Sequence, residues 1–210
     1  MRRPVLLLSA LALVLAYAPA AGADSSTPND PLWDQQWGPK QVNAPDAWAA
    51  STGDGTVIAV VDSGVDLTHP DLAGQLVSGA TFVGCAEDGP CGDGDWASGG
   101  QEAGEPDPHG THVAGIAAAA TDNGVGVAGV APDAKIMPVK VLGEDGGTFE
   151  EVAAGIRYAT DNGADVINLS LGAIPGVQVL EITGLIGDAK EAIAYANGKG
   201  VTVVVAAGNE

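Results

Sequence analysis

Short runs of β-branched and other apolar residues recur along the chain from residue 42 onward, and stretches with helical spacing separate them. The runs cover residues 56–61, 135–141, 164–171 and 201–206. Strands that alternate with helices are typical of βαβ units, which place their strands side by side in a parallel sheet. The pattern therefore predicts an α/β fold.

Two helices are predicted among these strands. Thr148 and Glu151 have the spacing of a capping box, and the apolar residues at 152, 156 and 159 then share one helical face. Asn162 and Gly163 supply the end of that helix. Residues 188–197 show the same arrangement, with acidic residues at the start, alanines and an isoleucine on one face, and a glycine after the end.

The first 41 residues differ from the rest. Residues 1–23 combine two arginines, an apolar stretch at 5–16 and small residues before a cleavage point, which is the composition of a secretory signal peptide. An uncleaved membrane anchor is the alternative, although an apolar run of about a dozen residues is short of the roughly 20 that a spanning helix needs. The polar, proline-containing sequence of residues 24–41 predicts an extended arm, which Trp33 and Trp37 anchor to the body at residues 42–210. We expect a secreted protein with no stable membrane association after cleavage.

The charge balance narrows the range of partners. The 210 residues contain 27 Asp and Glu against 8 Lys and Arg, which gives a formal net charge of −19. No basic stripe is available for a phosphate backbone, so nucleic-acid binding is excluded. A hydrophobic content of 46% also excludes a disordered acidic tail. The acidic excess suits solubility, cation binding or a cationic partner, and by itself selects none of them.

The long acidic and glycine-rich stretch at residues 84–108 carries both cysteines of the chain, Cys85 and Cys91. An exported chain meets an oxidising compartment, so a local disulfide is expected. Free or metal-binding thiols are the alternative, but two cysteines with no histidine beside them make a poor zinc site. A connection of this length is too long for an ordinary loop, so we expect it to be functional or ordered by a metal ion.

Three polar residues stand where an α/β fold collects its functional groups. Asp62 comes at the carboxyl end of the first predicted strand, Asn209 follows the last one, and His109 opens a helix rich in small residues. Alone, Asp62 is equally compatible with a turn cap. His109 and His112 have a spacing that zinc ligands use, but no glutamate completes an H-E-x-x-H motif. His112, one turn further along, is expected to pack beneath His109.

In this order, these segments resemble the subtilisin-like serine proteases. The segments are VVDSG at residues 60–64, HGTHVAG at residues 109–115 and AAGN at residues 206–209. The sequence at residues 27–30 and 37–39 is similar to that of the thermitase-like branch. The resemblance extends from residue 28 to residue 210 and implies a three-layer sandwich around a mainly parallel sheet. It also implies a serine endopeptidase that acts on protein or peptide substrates.

The resemblance implies a role for each of the three residues. His109 matches the general base that takes the proton of a serine hydroxyl, and Asp62 matches the buried anion that holds its imidazole in one tautomer. Asn209 matches the side-chain donor to the oxyanion. The nucleophilic serine, which belongs in a Gly-Thr-Ser-x-Ala context, is not in this sequence. We therefore expect it beyond Glu210, and we expect the 210-residue chain to be inactive. The alternative is a non-catalytic, calcium-ordered peptide-binding module derived from such a protease.

Two segments match the edges between which the family binds an extended peptide. They are Gly146 with Gly147, and Ser170 with Leu171 and Gly172. Small residues there allow a peptide to approach the backbone closely. Ordinary turn glycines are the alternative interpretation of both segments.

Calcium is the cofactor that the resemblance implies. The ligands would be the side chains of Asp30, Asp71 and Asn123, with the carbonyl oxygens of Ala120, Val125 and Val127. Hard oxygen ligands in a flexible loop suit calcium better than magnesium. Solvated surface acids are the alternative, and Asp88, Asp93 and Asp95 are candidates for a second ion.

Overall fold

The computed structural model describes residues 27–85, 89–100, 104–172 and 187–208. Within them, five parallel strands form one sheet. The strands are β1 (Val57–Asp62), β2 (Ala80–Thr81), β3 (Lys135–Lys140), β4 (Val166–Leu169) and β5 (Thr202–Val205), in the spatial order β2-β3-β1-β4-β5. Four of them are the strands that the sequence predicts. The two-residue β2 is too short to show a hydrophobic period.

Helices lie on both faces of the sheet, as an α/β three-layer fold requires. The α-helices of the described residues are α1 (Trp37–Gln41), α2 (Ala44–Trp48), α3 (His109–Ala118), α4 (Phe149–Asp161) and α5 (Gly187–Gly198). On one face, Val60 and Ile136 pack with Ala114 of α3. On the other face, the core includes side chains from α4 and α5. The predicted α/β class is confirmed.

The start of α4 is the one that its sequence predicts. The Thr148 hydroxyl accepts a hydrogen bond from the Glu151 amide at 3.1 Å, and the Glu151 carboxylate accepts one from the Thr148 amide at 2.7 Å. Gly155 lets the helix lie close to the sheet, since a methyl group there would come within 2.7 Å of the Val141 side chain. Helix α5 begins one position before its predicted range and ends one position after it, at Gly198.

The amino-terminal segment differs from the predicted extended arm. From residue 33 it forms a 3-10 turn (Trp33–Gln35) and then α1, because Pro39 fits the first turn of a helix and is the buried residue of α1. Trp33 is buried and its ring centroid lies 6.1 Å from that of Trp48, so it anchors the segment as predicted. Trp37 is 77% exposed and is not a second anchor within the described residues.

The described helices are all too short or too polar to cross a lipid bilayer. The predicted signal peptide at residues 1–23 lies outside the described residues.

Candidate functional site

Asp62 and His109 meet at the carboxyl edge of the sheet. Asp62 is the last residue of β1, and His109 is the first residue of α3. The distance between His109 Nδ1 and Asp62 Oδ1 is 2.7 Å. The Asp62 side chain is fully buried, whereas half of the imidazole is exposed. Because an ionised carboxylate can only accept, Nδ1 carries the proton and Nε2 is left as the acceptor.

The electrostatics of this pair favour a charged imidazole. The hydrogen bond to Asp62 raises the pKa of His109 above its usual 6.5, and the negative charges of Asp62 and Asp107 add to the effect. Partial burial of the ring acts in the opposite direction and does not cancel it. The surroundings of His109 therefore stabilise its protonated imidazole.

Gly110 allows α3 to begin this close to β1. A methyl group on Gly110 would collide with the carbonyl oxygen of Gly64 and come within 3.2 Å of Asp62 Oδ1. The backbone of residue 110 must therefore lie directly against the turn that follows Asp62. Any side chain at this position would force His109 away from the carboxylate.

The two other histidines lie elsewhere. His112 is exposed, so the expectation that it packs beneath His109 is wrong, because α3 turns this position toward its open side. It lines a cavity of about 720 Å³ together with His69 and Trp37. The Nδ1 atom of His69 accepts a hydrogen bond from the Asp71 amide at 3.3 Å. No group of three or more His, Cys, Asp or Glu side chains in the described part of the chain is placed to hold a metal ion, which leaves the zinc interpretation without a third ligand.

The two predicted peptide-binding segments follow the strands on either side of β1. Gly146 and Gly147 come after β3, and residues 170–172 come directly after β4. Because β1 lies between β3 and β4, these segments flank the strand end that carries Asp62.

Each segment also has a local structural feature. Gly143 and Gly146 exchange two backbone hydrogen bonds in a tight turn, and a methyl group on Gly147 would collide with the Val141 carbonyl. Ser170 accepts a hydrogen bond from Asn168 at 2.8 Å, Leu171 packs against the core, and Gly172 is exposed with open space beside it. Tight turns explain Gly146 and Gly147 locally, while the described residues impose no such requirement on Gly172.

Asn209 lies outside the described residues. The strand that precedes it, β5, pairs with β4 as far as Val205 opposite Leu169. The carboxyl end of β5 is thus next to that of β4, at the same edge of the sheet as Asp62.

Lys140 is a buried charged residue near this edge that the sequence analysis does not identify. It ends β3 directly opposite Asp62 in the strand register and is 1% exposed. Its ammonium group donates to the carbonyl oxygen of Trp96. Burial lowers the pKa of Lys140, although Asp95 and Asp107 oppose the effect. A lysine that directly follows four apolar residues at the carboxyl end of β3 is the sequence signal that could have pointed to it.

A second cluster of oxygen atoms joins the amino-terminal segment to the loop after α3. Asp30 is 4% exposed; its Oδ2 accepts a hydrogen bond from the Asp122 amide at 3.0 Å, and its Oδ1 has no partner among the described residues. Asp71 is 2% exposed and accepts from the Asn123 side chain at 2.9 Å and from the Val127 amide at 2.8 Å. A buried carboxylate oxygen without a partner is costly unless a cation or a donor neutralises it.

The predicted main-chain ligands belong to the same loop. Among the described residues, no hydrogen-bond donor reaches the carbonyl oxygens of Ala120, Val125 or Val127. Gly126 lies between two of them with a φ of +47°, and a methyl group there would collide with Asp71 Oδ2. The structure therefore places Asp71, Asn123 and this loop together, with Asp30 bonded to the loop at residue 122.

The predicted disulfide is present between Cys85 and Cys91, whose Cα atoms are 5.5 Å apart. The turn that contains Cys85 is bonded to α4, because the Gly84 amide donates to Glu151 at 3.0 Å. Asp93 and Asp95 accept hydrogen bonds from nearby amides. No group of three or more His, Cys, Asp or Glu side chains in the described residues is placed to hold a second ion here, and Asp88 lies outside those residues.

Comparison with known proteins shows what the chain is similar to. It is 46% identical over 185 residues to thermitase of Thermoactinomyces vulgaris, an alignment that covers 87% of this chain and 58% of thermitase. It is 37% identical over 228 aligned positions to the extracellular basic protease of Dichelobacter nodosus, covering 93% of this chain and 35% of that protein. Among solved structures, a protease from Pseudoalteromonas arctica superposes with a TM-score of 0.71 at 38% identity, covering 88% of this chain and 60% of that one.

The chain thus spans 58% of the length of thermitase and 35% of the length of the Dichelobacter nodosus protease. The profile of the subtilase family matches residues 53–210, which include β1 with Asp62 and α3 with His109. With the parallel sheet, the Asp62–His109 pair and this match, the chain belongs to the subtilase family.

Proposed function

We propose that this chain is the amino-terminal part of a secreted serine endopeptidase, in which Asp62 and His109 are two members of an Asp/His/Ser triad. The contact that carries the proposal is the 2.7 Å hydrogen bond between His109 Nδ1 and the fully buried carboxylate of Asp62. The relative from Dichelobacter nodosus is named an extracellular basic protease, which supports both the activity and the secretion.

In this proposal His109 is the general base. A serine hydroxyl is too weak an acid to attack an amide unaided, so Nε2 of His109 takes its proton as the oxygen adds to the substrate carbonyl. Asp62 holds the proton on Nδ1, which keeps Nε2 free to accept, and stabilises the imidazolium that forms. The same proton then passes from Nε2 to the leaving amine as the peptide bond breaks.

Asn209 would stabilise the tetrahedral intermediate. Its side-chain amide would donate a hydrogen bond to the developing oxyanion, a contribution worth about 10²–10³ in turnover in enzymes of this class. The position of β5 beside β4 supports this assignment, since it brings the chain before Asn209 to the edge that carries Asp62.

Substrate would bind as an extended peptide between Gly146–Gly147 and Ser170–Gly172. An added strand is held by main-chain hydrogen bonds, which require that the flanking segments leave their backbone accessible. Gly172 is exposed, and no atom of the described residues lies within 4 Å of a methyl group added there, which fits this requirement. The central position of β1 supports a scissile bond near Asp62 and His109.

We further propose that the oxygen cluster of Asp30, Asp71, Asn123 and the loop carbonyls binds calcium. The partnerless, buried Oδ1 of Asp30 supports this assignment, because it has the negative charge that a cation would neutralise. A bound calcium ion would supply an electrostatic tie between the amino-terminal segment and the end of α3. The residues themselves hold the loop closed through the Asp71 and Asn123 hydrogen bonds.

The test of the proposed activity uses the full coding sequence, read past Glu210. We expect a Gly-Thr-Ser segment there, hydrolysis of casein by the purified protein, and covalent labelling by a fluorophosphonate that reacts with active-site serines. The His109→Ala variant of the same protein is the matched control and should lose both signals. A stop codon directly after Glu210, or a folded full protein that is never labelled, would instead support a non-catalytic peptide-binding module.

A further inference from the structure

The hydroxyl group of Ser63 is buried between the two elements that carry Asp62 and His109. Ser63 is 1% exposed. Its amide donates to Asp62 Oδ1 at 2.7 Å, its Oγ accepts from the Gly110 amide at 3.0 Å, and the same Oγ donates to the Asp107 carbonyl at 3.2 Å. One residue therefore contacts the carboxylate, the first turn of α3 and the segment before it.

This contact replaces a local helix cap. The residue before α3 is Pro108, whose side chain cannot accept a hydrogen bond, so the first amides of the helix need acceptors from elsewhere. Asp107 accepts from the His109 amide at 2.9 Å, and Ser63 accepts from the buried Gly110 amide across 47 positions of sequence. The start of α3 is thus capped partly by the turn that follows β1.

We propose that Ser63 is a positioning residue for the Asp62–His109 pair. Its hydroxyl fixes the first turn of α3 against the end of β1, so that Nδ1 and Oδ1 stay at hydrogen-bonding distance when the imidazole gains and loses a proton. The significance for catalysis rests on the proposed function, but the positioning itself can be measured without any proteolysis.

Removal of the hydroxyl has a defined consequence. In Ser63→Ala the buried Gly110 amide loses its acceptor, and the first turn of α3 is no longer tied to the residue next to Asp62. The hydrogen bond between His109 and Asp62 should then lengthen. Since that bond is the main cause of the raised pKa of His109, the pKa should fall toward 6.5.

The charged groups around His109 allow this effect to be isolated. Asp62 faces the ring from β1, and Asp107 acts on it from the segment before α3. The ammonium group of Lys140 acts on Asp107 from β3. Ser63→Ala changes none of these charges, so a change in the pKa of His109 reports on geometry.

The experiment is an NMR titration of the 210-residue chain, which has only three histidines to assign. We expect Ser63→Ala to lower the pKa of His109 relative to that of the parent chain. Ser63→Thr, which keeps the hydroxyl, should restore the parent value. Thr111→Val is the matched control, because the Thr111 hydroxyl also accepts from a backbone amide, that of Asp66 at 2.9 Å, in the same turn of α3.

An unchanged pKa of His109 in folded Ser63→Ala would overturn the proposal, as would an equal fall in Thr111→Val. If circular dichroism shows that Ser63→Ala does not fold, Ser63→Cys keeps a side chain of similar size with a weaker acceptor, and it must then show a lowered pKa. In the full protein, Ser63→Ala should reduce kcat by roughly 10- to 100-fold with little change in KM. A full protein without protease activity would refute the proposed function and leave the titration result in place.

Discussion

The side chains of Asp62 and His109 meet at 2.7 Å although the residues are 47 positions apart in the sequence. One ends the central strand of a parallel sheet, and the other begins a helix rich in alanine and glycine that packs on that sheet. The carboxylate is fully buried and the imidazole is half exposed, so the pair has one face in the protein and one toward solvent. This asymmetry suits the base that we propose, which would take a proton from a serine hydroxyl on its open side and pass it to the leaving amine.

The first prediction concerns pH. Because the pKa of His109 is raised, most of the base is protonated at pH 6.5, and protease activity of the full protein should rise only at higher pH. Asp62→Asn removes the main cause, so it should lower the pKa of His109 and also abolish most activity, since an amide cannot hold the required tautomer. NMR titration and a pH–rate profile measure the two effects.

The raised pKa of His109 also makes the stability of the fold depend on pH. The folded state binds the His109 proton more tightly than the unfolded state, so the pair stabilises the fold fully below pH 6.5 and loses this contribution as pH rises through the raised pKa. Urea unfolding of the parent chain and of Asp62→Asn measures this contribution. The part of the difference between their unfolding free energies that depends on the His109 proton should shrink as the pH rises through this range. A pKa of His109 at or below 6.5 in the parent chain would contradict both statements.

The second prediction separates the three histidines. In the full protein, His109→Ala should reduce kcat by about 10⁴-fold or more. His112→Ala and His69→Ala should keep most of it, because both side chains line the cavity behind α3 and not the edge with Asp62. Casein hydrolysis by the three variants is compared, and circular dichroism checks that each variant is folded. A folded His112→Ala protein as inactive as His109→Ala would show that the roles along α3 are wrongly assigned.

The third prediction is that the 210-residue chain alone hydrolyses no casein or chromogenic peptide. A base and its orienting acid accelerate little without the nucleophile they serve. Turnover that an active-site serine reagent abolishes would mean that one of the serines in this sequence is the nucleophile.

Local patterns in the sequence account for most of the fold. The capping box of α4 needs only the spacing of Thr148 and Glu151, and both of its hydrogen bonds are present. The strands β1, β3, β4 and β5 are apolar enough to be recognised from their composition. Strand β2 could not be predicted, because its two residues pair with β3 only once the rest of the sheet exists.

The contacts that shape the candidate site are less accessible to the sequence. The motifs locate Asp62 and His109, but they do not reveal that the hydroxyl of Ser63, next to Asp62, accepts a hydrogen bond from the amide of Gly110, next to His109. Lys140 is buried because Trp96, far along the chain, offers it a carbonyl oxygen. The sequence predicts Trp37 as an anchor of the amino-terminal segment, but its side chain is exposed. Its exposure depends on which side of α1 faces the protein, and the residue that α1 buries is Pro39.

The fourth prediction concerns the disulfide between Cys85 and Cys91. Intact-mass measurement of secreted protein should show no alkylation before reduction and two modified thiols after it. The bridge closes a short loop, so the double variant Cys85→Ser, Cys91→Ser should lose roughly 2–3 kcal/mol of unfolding free energy. Two thiols that react before reduction would refute the pairing in the secreted protein.

The last prediction concerns calcium and the buried carboxylate of Asp30. Calcium at about 100 times its Kd should stabilise the folded protein by about 2.7 kcal/mol, which corresponds to a rise in Tm of roughly 5–10 °C. Asp30→Asn removes a ligand charge and should abolish most of this response. Asp34→Asn is the matched control, because Asp34 lies four positions away in the same segment with a side chain that is 99% exposed.

Without calcium, the effect of Asp30→Asn on stability should no longer be a loss. The parent protein then buries a carboxylate oxygen that has no partner among the described residues, which is unfavourable, whereas Asn at this position buries no charge. Asp30→Asn should therefore unfold at the same temperature as the parent protein or above it in EDTA, and below it in calcium. Thermal unfolding of the parent, Asp30→Asn and Asp34→Asn proteins in EDTA, calcium and magnesium measures this crossover. An equal calcium response in Asp30→Asn and the parent protein would show that Asp30 is not a ligand, and a loss of stability in EDTA as large as in calcium would show that its role is structural.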